Sequence, residues 1–369
     1  MIITEFLANN KILKFIVKFC IKLILSIFKY FSSLLIKNET NNILVISLHK
    51  IGDTVFTIPS IKYLYETHKE NLIVYCFENN KILYQIFINK GIKLITVKNK
   101  NLLFNRFVRK ADLFEVKNNS YKLVYDLTGS ITSVAVLSII KSKFKYGFTD
   151  EYFYKAYHKY LFKKEQAPLY KMYFDVIKLK DKNADINFYY NKLQIKPQNI
   201  KIVINPYAGW KAKEWDFDNF INLYNKLSIN YEVNFILDKY STNDLDIEKL
   251  NKQKIKYLLS DSLEDLINKL SRFTLYIGND SGPMHIASYL GLSTFTIYGP
   301  TNPDFHQPIG QNHQFINNIE ICSPKSDEKM CKKYGGQIGC NKFICITNLS
   351  FDAVYLKLLS FIAWLNKNE

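Results

Sequence analysis

From Ile12 to Ile36 the chain is almost wholly apolar, interrupted by Lys14, Lys18, Lys22, Lys29 and a few serines. At helical spacing Lys11, Lys14, Lys18, Lys22 and Lys29 fall within about 60° of one direction. Phe15, Ile16, Phe19, Cys20, Leu23, Ile24, Ile27 and Phe28 cover the remaining circumference. A spanning helix would hold several lysines in hydrocarbon at ~2.5–3.5 kcal/mol each near the centre. The pattern therefore predicts a helix in the plane of a membrane surface, lysines at the headgroups and apolar side buried. The alternative is a helix packed on the protein's own core with its lysines in solvent. The lysines interleave with the apolar residues and no small-residue cleavage site follows, which argues against a signal peptide. Asn38–Asn42 is polar and reads as a linker.

Beyond the linker, short β-rich apolar runs alternate with helical stretches. The first half predicts strands at Asn42–Leu48, Leu72–Phe77, Lys93–Val97 and Leu123–Leu127, with helices at Thr54–His68 (Pro59 near its start) and Ile131–Ile140. The second half begins near Lys201. It predicts strands at Lys201–Asn205, Val233–Leu237, Lys256–Leu259, Leu275–Ile277 and Ser293–Tyr298, and helices at Phe217–Leu227, Leu245–Asn251 and Leu263–Phe273. A last helix, Phe351–Leu365, is expected to pack across the domain junction. Alternation of this kind implies two doubly wound α/β domains.

Candidate chemistry gathers where strands end. Leu275–Thr301 reads as strand, turn, short helix, strand and second turn. Pro283 suits a helix start, Asp280 or Ser281 can cap it, and Gly291 can end it in a left-handed conformation. Such a unit aims free N–H groups at the carboxyl edge of a parallel sheet, where anions bind, so a nucleotide diphosphate is the natural guest. In the first half, Gly52-Asp53 follows the first strand and Ser130 follows the fourth. For Asp53, spacing leaves helix capping and a catalytic role open. Lys141–Phe148 reads as a basic loop, which either meets anionic groups or is a solvated turn. The stretch Pro206–Trp215 is a glycine-containing loop, basic and aromatic. The Asp-x-Asp pairs at Asp216/Asp218 and Asp244/Asp246 resemble metal-holding pairs, but a capping role suits Asp216 or Asp218 better.

Composition adds bounds. A hydrophobic share of 48% marks a folded chain, and 369 residues suffice for two cores. The net charge of +17 suits an anionic membrane or anionic small substrates. Without an arginine-rich patch or a helix-turn-helix pattern, nucleic acid is not expected as a partner. Cys20 and Cys76 lie in apolar runs and are expected to be buried thiols. Cys322, Cys331, Cys340 and Cys345 lack the paired spacing of a zinc ribbon and leave a metal site or a disulfide open. A reducing cytosol is the default compartment.

Four segments together resemble glycosyltransferase family 9, the lipopolysaccharide heptosyltransferases: ILVISLHKIGDTVFTIPSIKYL, YDLTGSITS, NPYAGWKAKEWDFDNF and GNDSGPMHIASYLGLSTFTIYGPTNP. The resemblance implies a GT-B fold, two facing Rossmann-like domains with a cleft between them, preceded here by the amphipathic helix. The domains would be residues 1–40 (helix and linker), 41–195 (acceptor), 196–350 (donor) and 351–369 (closing helix). It implies inverting, metal-independent transfer from ADP-heptose to the lipopolysaccharide core on lipid A, with no cofactor, at the cytoplasmic face of the inner membrane. Asp53 would be the general base and Lys213 would neutralise the donor pyrophosphate. Asp280 would hold the donor sugar and Ser281 and Gly282 would cradle phosphate. The donor site would also take in Ala208, Gly209, Pro283, Met284 and His285, and the acceptor site Gly52, Ser130, Lys143 and Lys145. Thr132 stands where many relatives carry a basic residue, so acceptor contacts depart from the family pattern. Readings to be set against this one are transfer from another sugar nucleotide, a non-hydrolysing sugar-nucleotide epimerase, and a catalytically silent module at the membrane.

Overall fold

The computed structural model describes residues 11–36, 40–98, 110–162, 168–186, 199–240, 242–331, 340 and 342–367, without the side chains of 11–16 and 110–112. Asn38, the expected boundary at 195/196 and the side chains of Lys11, Lys14, Phe15 and Ile16 lie outside the described residues. The rest falls into two compact units. One lies within Met1–Lys50, Thr57–Lys164 and Met172–Ala184, the other within Ile51–Phe56, Glu165–Lys171 and Asp185–Glu369.

The first unit opens with helix α1 (Lys11–Leu34), followed by strand β1 (Ile43–Ser47) and helix α2 (Ile51–His68), whose first six residues belong to the second unit. Strands β2 (Leu72–Phe77), β3 (Lys93–Val97) and β4 (Ser120–Asp126), helix α3 (Ile131–Ile139) and strands β5 (Lys141–Thr149) and β6 (Lys159–Phe162) complete it. All six strands are parallel, in the order β3-β2-β1-β4-β5-β6. Every residue of β1 is buried, as a central parallel strand covered on both faces requires.

The second unit repeats the plan with β7 (Lys201–Asn205), helix α4 (Phe217–Leu227), β8 (Glu232–Asp238), β9 (Tyr257–Ser260), β10 (Leu275–Asn279), helix α5 (Gly282–Tyr289), β11 (Ser293–Tyr298) and β12 (His313–Asn317). Its parallel order is β12-β11-β10-β7-β8-β9, the same winding read from the other edge. Helix α6 (Phe351–Lys367) buries Val354, Leu358, Phe361, Ile362 and Leu365 in this unit's core. The two Rossmann-like sheets expected from the alternation are both present.

Three local expectations need correction. Pro59 is not near a helix start: α2 begins at Ile51, so Pro59 sits inside it and the Val55 carbonyl lacks its usual donor. The basic loop at Lys141–Phe148 is strand β5, paired residue by residue with β4. Lys145, expected to reach an acceptor, is buried and donates to Ser32 Oγ and the Leu137 carbonyl, both at 2.8 Å. Lys143, on the same strand, is exposed with its ammonium over the Phe144 ring.

The third correction concerns α1. Its lysine side faces the first unit, not solvent or a headgroup layer. Lys18 pairs with Glu151 at 2.6 Å and lies over the Tyr152 ring. Lys22 lies over Tyr154, and Lys29 donates to the Tyr157 carbonyl at 3.1 Å. Leu25 enters the core between them, whereas Cys20, expected to be buried like Cys76, lies on the outward side and is exposed.

Burial lowers the Lys145 pKa to about 7, with the nearby Lys29 charge adding to the effect. In the unfolded chain a lysine titrates near 10.4, so between these values the unfolded state binds more protons and stability rises with pH. Denaturant titrations at successive pH values are expected to show unfolding free energy climbing above pH 7, by at most ~1.4 kcal/mol per pH unit from this group. Lys145→Met should flatten that slope; an unchanged slope would reject the assignment.

Candidate active site

Both sheets reverse their winding direction between their first and fourth strands, and in the second unit that point lies between β7 and β10. Ligands of open α/β sheets bind outside the carboxyl ends of strands at such a point. The chain leaves β7 at Asn205 into the loop Pro206–Trp215 and leaves β10 at Asn279 into Asp280 and Ser281. Asn279 joins the two exits: its amide donates to the Pro206 carbonyl at 2.6 Å and its oxygen accepts from Trp215 N–H at 3.1 Å. Trp215 is pinned again by its indole N–H on the Leu349 carbonyl at 2.9 Å. Gly278 is required here, because a Cβ would stand 2.5 Å from the Asn205 carbonyl oxygen.

That clamp brings Lys213 to Asp280, Nζ to Oδ2 at 2.6 Å, with both side chains mostly or wholly out of solvent. The Lys213 ammonium also lies 5.0 Å from the centre of the Trp210 ring. Thr301 Oγ1 donates to the same carboxylate oxygen at 2.6 Å, and His285 Nε2 stands 3.7 Å from the other. Burial alone would push Asp280 upward, but Lys213, His285 and His306 outweigh it and hold the carboxyl well below its usual range. Burial pushes His306 down to about 4, against the opposing pull of the Asp280 charge. Among the described residues His285 Nδ1 and His306 Nε2 are buried with no hydrogen-bond partner. Buried polar atoms are normally satisfied, so unpaired ones beside a carboxylate–ammonium pair are suited to a polar ligand.

Helix α5 starts here. Ser281 occupies its cap position, Gly282 and Pro283 open its first turn, and Gly291 follows it at φ +91°. The expected side-chain cap is not made. Neither Asp280 nor Ser281 bonds a first-turn N–H; the Ser281 hydroxyl instead lies 3.4 Å from the Tyr276 hydroxyl. Met284 and His285 are buried on the next positions. In the opposite loop the Ala208 N–H donates to Glu214, which also pairs with Lys211, and the space around Gly209 is open.

Gly52 and Asp53 lie in the first turn of α2, not in a loop, and belong to this same unit. An added Cβ on Gly52 would come 3.2 Å from the His285 ring. One on Gly282 would come 3.1 Å from Ile51. Asp53 does not cap α2, whose cap position is Lys50. Its carboxylate is partly exposed, makes no hydrogen bond among the described residues, and acts electrostatically on His306. Lys213, Asp280, the start of α5 and Asp53 are thus gathered in one place. Thr301 and His306, from the loop after β11, complete it and were not singled out from sequence.

The remaining site expectations have other partners. Ser130 caps α3 in a reciprocal pair with Ser133. Beside it the buried Asp126 carboxylate accepts from Thr128, Gly129, Ser133 and Tyr157, which fixes the turn. Asp216 caps α4, Asp218 pairs with Lys249, and Asp246 accepts from Tyr207, so each of these carboxylates has a structural partner. Cys322, Cys331, Cys340 and Cys345 line one small pocket, where burial and the neighbouring thiols push Cys345 up to about 12. Among the described residues no three His, Cys, Asp or Glu side chains are grouped to hold a metal ion.

Comparison with known proteins follows the same lines. The family model of glycosyltransferase family 9 (heptosyltransferase) matches residues 113–334. Lipooligosaccharide heptosyltransferase 2 of Campylobacter jejuni is 24% identical over 293 residues, 76% of this chain and 88% of the relative. Among solved structures, a family 9 glycosyl transferase from Veillonella parvula superposes with TM-score 0.71 at 19% identity, covering 89% of this chain and 99% of that one. The E. coli ADP-heptose lipopolysaccharide heptosyltransferase II gives 0.63 at 17%, covering 88% and 99%. An E. coli heptosyltransferase solved with ADP gives 0.63 at 14%, covering 87% and 99%. At these identities the structural likenesses establish the fold.

Proposed function

From a chain that belongs to glycosyltransferase family 9, the heptosyltransferases, we propose the following reaction: inverting, metal-independent transfer of a heptose from ADP-heptose to the lipopolysaccharide inner core. The observation that carries it is the Lys213–Asp280 pair at the end of β10, beside the uncapped first turn of α5. The acceptor hydroxyl oxygen attacks the anomeric carbon and its proton passes to the Asp53 carboxylate. The bond from that carbon to the diphosphate oxygen breaks, and ADP leaves with the electron pair. One base on the side opposite the leaving group is sufficient for inversion.

Negative charge grows on the departing diphosphate. Lys213 and the first-turn amides of α5 offset it from fixed positions, so little reorganisation is needed as the bond breaks. The same two groups support metal independence, and Asp216, Asp218 and Asp246 of the Asp-x-Asp pairs are engaged by a helix terminus, Lys249 and Tyr207. The ADP bound by the E. coli relative and the name of the C. jejuni relative support the donor and the acceptor class. Such an acceptor is a glycolipid, which supports work at a membrane surface, on this reading the cytoplasmic face of the inner membrane.

The test is a donor panel with truncated lipopolysaccharide cores. ADP release and a heptosylated product from ADP-heptose, unaffected by chelator, are expected. Activity only with another sugar nucleotide would overturn the donor. Interconversion of free sugar nucleotide without acceptor would replace transfer by epimerisation.

A further inference from the structure

Helix α1 is mounted the reverse way from an ordinary surface helix. Its cationic side is held by Glu151, the Tyr152 and Tyr154 rings and the Tyr157 carbonyl. The other half of its circumference is apolar and turned outward. From Phe19 through Leu35 that face presents Leu23, Ile27, Phe31 and Leu34, with exposures that run from 46% at Ile27 to 59% at Leu34. No acidic residue occurs between Lys11 and Ile36. An apolar surface this long exceeds what a soluble monomer ordinarily leaves in water.

We propose that this outward face of α1 lies in the acyl–headgroup boundary of an anionic phospholipid bilayer and seats the enzyme on it. Two features select lipid over a second copy of the chain. The face is a row of apolar side chains flanked by the exposed Tyr30, an amphipathic ring of the kind that suits the boundary between headgroups and acyl chains. The cations around it outnumber the neighbouring acids Asp150 and Glu151: beside Lys18, Lys22 and Lys29, Lys155 shares the Tyr154 ring with Lys22 and exposed Lys143 follows on β5, within a chain of net charge +17. A symmetric copy would bring these lysines together, whereas anionic headgroups neutralise them. Among the described residues no helix is long and apolar enough to cross a membrane, which agrees with a helix lying in the plane. Holding the lysines on the protein fixes the helix's rotation, so the apolar side is presented continuously. The proposal rests on the glycolipid-acceptor reading only for which membrane is meant.

Flotation of the full-length chain with vesicles of phosphatidylethanolamine and phosphatidylglycerol tests it, with pure phosphatidylcholine for comparison. The wild type is expected to float with the anionic vesicles. Leu23→Ser, Ile27→Ser and Phe31→Ser combined should weaken that binding more than about tenfold. A Phe31→Trp variant should show tryptophan emission quenched by brominated acyl chains. Undiminished flotation of the triple variant, or a wild-type dimer that the triple variant turns into a monomer, would overturn the proposal. Heptose transfer to a water-soluble truncated core should be equal in wild type and triple variant. Its loss in the wild type would count against the catalytic reading and leave the flotation result standing.

Discussion

Asp53→Asn is expected to lower kcat for heptose transfer by about 10²–10⁴-fold, the usual contribution of a positioned general base. The carboxylate sits in the first turn of α2, partly exposed and without a hydrogen-bond partner among the described residues. It is therefore not needed to hold the fold, and melting temperature should move little. Asparagine keeps the shape but cannot take the acceptor proton, so KM for ADP-heptose should stay within a few-fold of wild type. Single-turnover measurements with saturating donor and acceptor separate these quantities. An Asp53→Asn enzyme with wild-type kcat would remove the base from the mechanism.

Lys213→Ala carries the second large effect, and it divides between stability and activity. Removing the ammonium leaves Asp280 buried and charged with Thr301 and the His285 and His306 rings as its remaining neighbours. Breaking one partner of a buried pair costs ~3–5 kcal/mol, which denaturant unfolding would register. The sign with pH follows from the depressed Asp280 carboxyl. Its stabilisation is present above the unfolded carboxylate value of about 3.9 and is lost as pH falls through the lower folded value. In Lys213→Ala that acid-side loss should shrink. Adding Asp280→Asn should return most of the stability, since no unpaired charge remains, but none of the turnover. A double variant that regained transfer would mean the pair is structural and the diphosphate is neutralised elsewhere.

The central strands of both sheets were legible because parallel strands covered on both faces are apolar throughout, whereas β5 and the edge strands β6 and β12 were not foreseen. ILVIS and STFTIY can scarcely be anything else. Strand β5 was missed for the opposite reason. Its KSKFKYGFT alternates charge with aromatics, and the lysine at position 145 is buried only because Ser32 and the Leu137 carbonyl receive it. No pattern within the strand announces those partners. Helix α1 shows a related limit: periodicity separates two faces but does not say which one the protein keeps. The donor-side residues were legible because turn glycines, a proline and a capping position carry a physical signature. Thr301 and His306 lack one. The Asn302-Pro303 cap, in which the Asn302 side chain accepts from Asp304 N–H, is the one local sign that this loop is fixed firmly enough to aim them.

The matched winding of the two sheets also bears on the order in which the protein can assemble during synthesis. In each, the first strand made becomes central and waits for its inner neighbour: Ile43 pairs with Leu123, and Ile202 with Leu275. Contacts so distant along the chain form slowly. All of β1 to β6, however, precedes β7, so the first sheet can close while the second is still on the ribosome. The six residues opening α2, Asp53 among them, would then stand ready before the unit they belong to exists. The candidate base is thus among the first site residues translated and among the last to find its surroundings.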